Sequence, residues 1–366
     1  MLVGPVVPAP VSQTVLDALT GIEVTVNENA TSGFQLSFTL SNNSLLHTMF
    51  MLAGNSQIPL MRVIMVVTVN GAPNVLMDGV VTHQQVQPGT DGTSSLTITG
   101  EDLSAVMNKK EGTGRQFAGT SIETRVNLIL SDYKSYGIVP NVIAPVLTEQ
   151  PSANDRIPIQ RGTDLAYLRA LAKQVGYVFF IDPGPSPAKS TAYWGPQVKA
   201  GTVQAALNIN MDAYTNVESL NFNFNSLSST KPEVLVQDEA TKKPINLPIP
   251  KKSPINPSLG SVLPLQITKE YSTDVGGLSQ IEARLDGIAK ASSSSDSVTA
   301  NGTLDITRYG SILKARQLVG VRGAGPAFDG LYYVNKVTHN IKRGEYKQNF
   351  DLSRDGLGST IQQVNA

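Results

Sequence analysis

The sequence feature that most constrains the fold is a two-residue alternation of apolar and polar side chains in the first hundred residues. From Phe34 to Leu40 every second residue is apolar, which is typical of a strand with one buried face. A continuous apolar strand is predicted at 63–69, and Asn70–Gly71 after it is a turn signal. Short strands that alternate with turns in this way predict a barrel or a sandwich.

Helices are predicted where the apolar period lengthens to three or four residues. The clearest spans 163–175, where Thr163 is a suitable N-cap and Gly176 a suitable stop. A strand is expected to follow it at 177–181. Further helices are predicted at 44–52, 101–107, 121–130 and 278–288. The middle of the chain is therefore mixed, whereas the last hundred residues return to strands, at 304–307, 318–321 and 332–341.

Prolines recur along residues 226–265. Proline removes a backbone donor and disfavours both helices and central strands. This stretch therefore predicts a linker or an extended arm that lies on a surface or on a partner chain and is ordered mainly by its neighbours.

Composition narrows the class of protein. The chain has 366 residues, long enough for two or three domains, and 40% of them are hydrophobic, so it can bury real cores. Charged residues are only 16% and the net charge is zero, which argues against electrostatic nucleic-acid binding and favours association. Cysteine is absent, which excludes disulfides, thiolate metal sites and cysteine nucleophiles.

Targeting signals are not expected from this sequence. No basic residue precedes Arg62, and prolines interrupt the apolar N-terminus, so a secretory signal peptide is not predicted. No apolar stretch approaches the length of a membrane span, so no membrane insertion is predicted. We expect synthesis in the cytoplasm.

No constellation in the sequence indicates catalysis. The three histidines are His47, His83 and His339; we interpret the first as part of a half-buried helix and the other two as strand residues. The stretch 184–187 lacks the fifth position of a nucleophile elbow, and the glycines of 320–325 lack the residues of a phosphate-binding loop. The single tryptophan, Trp194, is too little aromatic surface for a typical sugar cleft. We predict no catalytic residue, no cofactor and no metal.

Three segments, in the same order as in the family, resemble the phage late control D family, the central baseplate hub proteins of contractile tails, which is similar to the hub part of VgrG. The first runs from Gly79 to Leu103 and resembles the passage where the family's first barrel ends. The second, Gly162 to Phe179, is similar to its D-x-x-F/Y-L-x-x-L-A helix and following strand. The third, Phe328 to Phe350, resembles its G-x-Y-x-V-x-x-V-x-H hairpin. The proline-rich stretch 226–265 has no clear counterpart.

The resemblance implies a β-rich α+β fold, with two tail-tube-like β-barrel domains bracketing a mixed α/β middle domain. The expected division is a first barrel at 1–100, a mixed middle domain at 101–225, the proline-rich linker or arm at 226–265, and a second barrel with a helix at 266–366. No spike region follows the last hairpin, so the resemblance implies a spike on a separate polypeptide.

The resemblance also implies a function. Such a hub is a non-enzymatic homotrimer that adapts the sixfold tail tube to the threefold spike. Its partners are other copies of itself, the tail tube protein, a separate spike protein and other baseplate proteins, without sequence-specific nucleic-acid binding. It serves genome ejection in the virion tail, after assembly in the host cytoplasm. Alternatives are the hub of an extracellular contractile injection system, a tail-associated cell-wall or polysaccharide hydrolase, and a monomeric carbohydrate-binding protein.

Overall fold

Strands provide most of the regular structure. The computed structural model describes residues 1–5, 8–28, 30–40, 46, 60–89, 93–145, 157–237, 243–249, 256–272, 280–293, 296–362 and 364. The helices are α1 (Gln13–Ala18), α2 (Ser104–Lys109), α3 (Ile122–Ser131), α4 (Asp164–Gln174), α5 (Gln280–Ser293) and α6 (Ile306–Tyr309). The strands are β1 (Leu2–Gly4), β2 (Ala9–Pro10), β3 (Leu19–Asn27), β4 (Gly33–Leu40), β5 (Arg62–Val69), β6 (Ala72–Pro88), β7 (Ser94–Asp102), β8 (Ile138–Val142), β9 (Tyr177–Pro183), β10 (Ser190–Pro196), β11 (Val203–Asn208), β12 (Val217–Phe224), β13 (Thr230–Gln237), β14 (Pro244–Leu247), β15 (Gly260–Val262), β16 (Thr268–Ser272), β17 (Val298–Asp305), β18 (Leu318–Arg322), β19 (Gly330–Lys342), β20 (Glu345–Arg354) and β21 (Leu357–Ser359).

One large sheet runs through both ends of the chain. Among the described residues it has 13 strands, in the order β2-β1-β5-β6-β7-β4-β3-β19-β20-β17-β12, with β18 also pairing with β19 and β11 pairing with β18. The strands β1 to β7 form its N-terminal half, and β11, β12 and β17 to β20 form its C-terminal half. The two halves meet where β3 pairs with β19. The predicted β-rich ends of the chain are thus confirmed, and they are joined edge to edge.

The two halves of the sheet share one strand order. The N-terminal half runs β3-β4-β7-β6-β5 and the C-terminal half runs β12-β17-β20-β19-β18. Two irregularities of the register coincide as well. A residue is skipped after Leu19 in β3 and after Val217 in β12, and again after Val81 in β6 and after Val334 in β19. The chain therefore contains a structural repeat, although its sequence shows no short internal repeat.

Alternation of side chains sets the inner face of the sheet. In β4 the predicted alternation is confirmed, because Phe34, Leu36, Phe38 and Leu40 are all buried. They belong to one core under the N-terminal half, and a separate core lies under the C-terminal half. Burial of each such side chain stabilises the fold by roughly 1.5–3 kcal/mol.

The mixed region between the halves has its own core. The predicted helix at 163–175 is confirmed as α4, with Thr163 Oγ1 accepting from the amide of Ala166 at 3.2 Å. Gly176 ends it at a φ of +70°, which side chains other than glycine rarely adopt. A Cβ added to Gly176 would lie 2.9 Å from the Cα of Ala289 in α5. Position 176 therefore requires glycine both for its backbone conformation and for the close approach of α5.

Residues 225–297 are inserted between two neighbouring strands. β12 precedes them and β17 follows them, and these two strands pair with each other. The insertion contains a three-stranded sheet, β14-β13-β16, and helix α5. The stretch 226–265 thus includes β13, β14 and β15. Because β11 and β12 pair with strands of the C-terminal half, that half begins before residue 226, while the division into domains stays a prediction.

Local sequence signals account for the remaining elements. The predicted helices at 121–130 and 278–288 are confirmed as α3 and α5. The helix predicted at 101–107 is confirmed as α2 only from Ser104, because residues 101–102 complete β7. The helix predicted at 44–52 lies outside the described residues except Leu46. The strand predicted at 304–307 is wrong beyond Asp305, because the Asp305 carboxylate accepts from the amide of Thr307 at 2.7 Å and caps α6. Within the described ranges no helix combines the length and the apolar character that a membrane crossing requires.

Candidate assembly interface

The joint between the two half-sheets is the first candidate feature for assembly. β3 and β19 run antiparallel through seven residue pairs, from Asn27 opposite Lys336 to Gly21 opposite Lys342. The hydroxyls of Thr25 and Thr338 are 3.0 Å apart across this joint. The backbone ladder and this side-chain pair make the joint a specific contact between the two half-sheets.

His339 lies on the buried face of the joint. Its Nδ1 is 2.8 Å from the hydroxyl of Tyr346 and 3.3 Å from Nε2 of Gln348. Burial lowers the pKa of His339 to about 4, so the imidazole is neutral at physiological pH. His83 is exposed on β6, in the other half of the sheet. Both predicted strand positions are confirmed, and His47 lies outside the described residues.

One end of the joint carries a largely buried group of polar residues that we name the junction cluster. Its members are Glu28, Asp102, Asp182, Arg316 and Tyr333. The Arg316 guanidinium forms an ion pair with Asp182 and donates to the carbonyl oxygen of Asn27 at 2.6 Å. It also lies 3.9 Å from the ring centroid of Phe180. One cation thereby links the end of β3, the strand β9 of the middle region and the C-terminal half.

Two acidic members of the junction cluster, Glu28 and Asp102, are held by neutral donors. Glu28 accepts from the hydroxyl of Tyr333 at 2.5 Å and from Nε2 of Gln197 at 2.7 Å. Asp102 accepts from the amide of Ser104 at 2.8 Å. Burial raises the pKa of Glu28 and of Asp102, and the hydrogen bonds oppose that rise. A buried charge is costly unless it is paired or hydrogen-bonded. Removal of any one member of the cluster therefore leaves another polar group without its partner.

Two further polar contacts connect the middle region to the sheet. The Arg62 guanidinium pairs with both carboxylate oxygens of Asp78 at 2.6 Å, and Ser190 Oγ of β10 donates to the same carboxylate at 3.0 Å. On the C-terminal side, Lys199 Nζ lies 2.7 Å from the Asp296 carboxylate. The sequence offers one hint of such contacts, namely a charged residue at the start of an otherwise apolar strand.

A cleft of about 480 Å³ opens beside the junction cluster, between α4, β9 and α5. Three carboxylates line it, from Glu28, Asp286 and Asp296. Each is engaged: Glu28 as above, Asp286 with Lys290 at 2.8 Å, and Asp296 with Lys199. Each of these three carboxylates therefore has a hydrogen-bonding or ionic partner within the fold.

Apolar side chains are exposed along the inserted segment. Val262, Leu263, Leu265, Ile267 and Tyr271 form a run that we name the 262–271 strip. Leu265 is 77% exposed and Ile267 is 70% exposed. Clustered exposed apolar residues are typical of interaction surfaces. The run lies at the end of the stretch predicted to be an arm ordered by its neighbours, and that role stays a prediction.

Of the glycines in 320–325, Gly323 and Gly325 lie in the loop after β18, whereas Gly320 is within β18 and pairs with Leu331. Gly323 has a φ of +84°, and a Cβ there would lie 1.9 Å from the carbonyl oxygen of Ile209. Trp194 is fully buried and donates from Nε1 to the carbonyl of Leu168 at 3.2 Å, so it packs the middle core. In the described part of the chain no three His, Cys, Asp or Glu side chains group as metal ligands would.

No family model and no curated protein sequence matches this chain. Solved structures do match it. A tail protein from Neisseria meningitidis MC58 is 13% identical with a TM-score of 0.62, and the alignment covers 93% of each chain. An E. coli component of the type VI secretion system with structural similarity to T4 bacteriophage tail proteins is 12% identical with a TM-score of 0.57. That alignment covers 92% of this chain and 73% of the other.

A third similar structure is a chain of the Francisella PdpA–VgrG complex. It is 11% identical with a TM-score of 0.55, and the alignment covers 95% of this chain and 50% of the other. The fold is therefore the one shared by phage tail proteins and VgrG-containing secretion assemblies. The resemblance to the late control D and VgrG hub family, inferred from three sequence segments, is confirmed at the level of the fold.

Proposed function

We propose that this chain is the structural, non-enzymatic central hub of a contractile tail baseplate. The observation that carries the proposal is the structural repeat, in which one chain provides two half-sheets of identical strand order joined through β3 and β19. Three such chains supply six half-sheets. A ring of that kind presents threefold symmetry to a spike and near-sixfold symmetry to a tube.

Each half-sheet, with the core beneath it, corresponds in this proposal to one tube-like barrel domain. The middle region from α2 to β10 separates them in sequence and ties to both halves through the junction cluster and through Arg62, Asp78 and Ser190. The inserted segment with the 262–271 strip is the part of the second domain that contacts neighbours. The proposed partners are two further copies, the tail tube protein, a separate spike protein and other baseplate proteins.

The proposed location is the virion tail, after assembly in the host cytoplasm, and the proposed role is in genome ejection. Similarity of fold to phage tail proteins supports a tail, while similarity to a chain of the PdpA–VgrG complex keeps the hub of an injection system as a second candidate. The contents of the lumen in purified particles, DNA or protein, separate the two.

The direct test is native mass spectrometry of the purified chain, alone and with candidate spike and tube proteins encoded nearby. The proposal predicts a species of three times 39.0 kDa. The amount of this species should increase when the spike protein is present. A strict monomer in every mixture contradicts it. An assay of peptidoglycan and polysaccharide cleavage with the same preparation should give no activity, and cleavage would favour the hydrolase.

A further inference from the structure

A pocket of about 370 Å³ lies where the two half-sheets meet the middle region. Residues 73–76 of β6 line it from the N-terminal half, residues 182–185 from the middle region, and residues 312–315 from the C-terminal half. Val26 of β3 is part of the same lining, and most of these residues are apolar. Pockets for small molecules typically measure about 300–1,000 Å³ and are mainly apolar, with a few placed polar groups. The pocket is therefore a candidate binding site.

The buried polar side chain in this lining is that of His339, and its neighbours fix where the ring carries its proton. Gln348 makes two hydrogen bonds to Leu313: its Oε1 accepts from the amide at 2.9 Å, and its Nε2 donates to the carbonyl oxygen at 2.8 Å. These two bonds determine which end of the Gln348 side chain is the nitrogen. The same Nε2 is 3.3 Å from Nδ1 of His339. Because Nδ1 faces a donor, it acts as an acceptor and carries no proton.

The proton of the His339 ring is therefore on Nε2. The ring is neutral, because burial lowers its pKa to about 4, and a neutral imidazole has one N–H group. In the part of the chain that the structure describes, Nδ1 has two partners whereas Nε2 has none. A buried donor without an acceptor is costly. Since His339 is only 4% exposed and lines the pocket, an acceptor can reach Nε2 from the pocket.

The charges around the pocket favour an anionic acceptor. Lys314 lines the pocket and is exposed, and among the described residues no carboxylate forms an ion pair with its ammonium group. Asp182 also lines the pocket, but its charge is offset by the ion pair with Arg316. The other polar residues of the lining, Asn74 and Gln317, are neutral. One positive charge therefore remains uncompensated at the pocket.

We infer that this pocket binds a small organic acid. The carboxylate of the acid accepts from Nε2 of His339 and pairs with Lys314, and its apolar body packs against Val26, Leu76 and Ile312. Such a ligand contacts both half-sheets and the middle region of one chain. The inference goes beyond the proposed hub function and does not depend on it, because the whole lining belongs to a single copy.

Fluorine NMR with para-fluorobenzoate tests the inference on the full chain. This probe has an aromatic ring and one carboxylate, and para-fluorobenzamide is a neutral probe of matched shape. The inference predicts saturable binding of the acid with a dissociation constant of about 1 mM or tighter, as suits a ligand of this size. The amide should bind about tenfold more weakly, because its carbonyl oxygen is an uncharged acceptor.

Variants of the lining separate this pocket from other sites. His339→Val removes the N–H donor and should weaken binding of para-fluorobenzoate about tenfold or more. Lys314→Met should weaken it about two- to fivefold, whereas Lys109→Met, at an exposed lysine of α2 outside the lining, should leave it unchanged. Ala315→Met places a longer side chain in the pocket, keeps His339 and should abolish binding. This last variant decides the test if His339→Val does not fold.

Nitrogen NMR of histidine-labelled protein gives a second readout. The chain has three histidines, and the signals of His339 are those that His339→Val lacks. We expect Nε2 to be the protonated nitrogen of His339, and we expect its N–H signal to shift when para-fluorobenzoate is added. A proton on Nδ1, or an Nε2–H signal that the acid does not move, overturns the inference.

Three binding results would also overturn it. One is the lack of saturation up to about 10 mM of the acid. Another is binding that Ala315→Met leaves intact, which would place the acid at a different site. The third is equal affinity for the acid and the amide, which would remove the anionic class of ligand. The hub is judged separately by its native mass, so a strict monomer that binds the acid would contradict the hub and keep the binding site.

Discussion

The two halves of the sheet reach one strand order with different side chains. In the N-terminal half Phe34 on β4 lies over Gly100, its partner on β7, and a Cβ added to Gly100 would lie 2.2 Å from the Phe34 ring. In the C-terminal half the ring comes from the other strand: Phe350 on β20 lies over Gly302 on β17, with the corresponding distance at 2.6 Å. An aromatic ring over glycine recurs, but the strands have exchanged the two residues.

The halves also differ in how their first hairpin is closed. Residues 28–32 connect β3 to β4, and this turn supplies Glu28 to the junction cluster. The equivalent connection between β12 and β17 is the insertion 225–297. The two halves therefore share the backbone arrangement of the sheet but differ in their connections. The connection in the N-terminal half forms internal hydrogen bonds, whereas the insertion in the C-terminal half exposes apolar side chains.

The largest predicted effect comes from breaking the connection between the halves. Arg316→Met leaves the carboxylate of Asp182 without its cation and removes the donor to the Asn27 carbonyl. We expect the free energy of unfolding to fall by about 3 kcal/mol, because the Asn27 carbonyl loses its donor and the buried guanidinium is removed, whereas the half-exposed Asp182 carboxylate stays hydrated. Urea unfolding measures it. The exposed neighbour variant Lys314→Met should change it by less than about 0.5 kcal/mol, and equal effects would contradict the account.

The second prediction concerns pH and the buried histidine of the joint, His339. The pKa of His339 is lowered to about 4 by burial, from 6.5 in the unfolded chain. Its contribution to stability is therefore complete above pH 6.5 and is lost as the pH falls toward 4, by about 3 kcal/mol at 1.36 kcal/mol per pKa unit.

The variant His339→Val carries the residue that β6 has at the equivalent position, Val86. In urea titrations, the free energy of unfolding of this variant should fall by about 3 kcal/mol less than that of the parent between pH 7 and pH 4. Tyr346→Phe keeps the imidazole and should keep the parental slope. The buried Glu28 and Asp102 have raised pKa values and act in the opposite direction, but they do so equally in all three proteins. Identical slopes for parent and His339→Val would refute the prediction.

The third prediction tests the exchanged ring and glycine. Gly100→Ala and Gly302→Ala should each lower the free energy of unfolding by about 1–3 kcal/mol through overpacking. Phe34→Leu should recover part of the loss in the Gly100→Ala background, and Phe350→Leu part of the loss in the Gly302→Ala background. The crossed combinations should be additive, because they share no contact. Rescue by the crossed combinations would show that the two pairs are not independent.

The smallest predicted effect is the side-chain pair of the internal joint. A double-mutant cycle with Thr25→Val and Thr338→Val should give a coupling free energy of about 0.5–1 kcal/mol. The same cycle with Thr25 and Thr303 should give no coupling, because Thr303 is on β17, between β12 and β20, and is not opposite Thr25. A coupling free energy of zero for the first pair would show that this side-chain pair does not stabilise the joint and that the backbone ladder alone does.

Local order was predictable from the sequence, and long-range connection was not. The alternation of β4 and the caps of α4 are properties of consecutive residues, so their patterns are legible. The repeat was not recognisable from the sequence, because the aromatic ring and the glycine that recur in it lie on different strands in the two halves. The ring is on β4 and β20, and the glycine is on β7 and β17. Arg316 lies outside any periodic segment, and Asp182 and Asn27, which it contacts, are far away along the chain. No spacing rule connects such residues before the strands are paired.

Electron cryo-microscopy of the purified assembly tests the central claim most directly. The account predicts a threefold ring with six half-sheets, in which each chain contributes two half-sheets joined through β3 and β19. A ring whose copies meet through other surfaces, or an assembly without threefold symmetry, would contradict it.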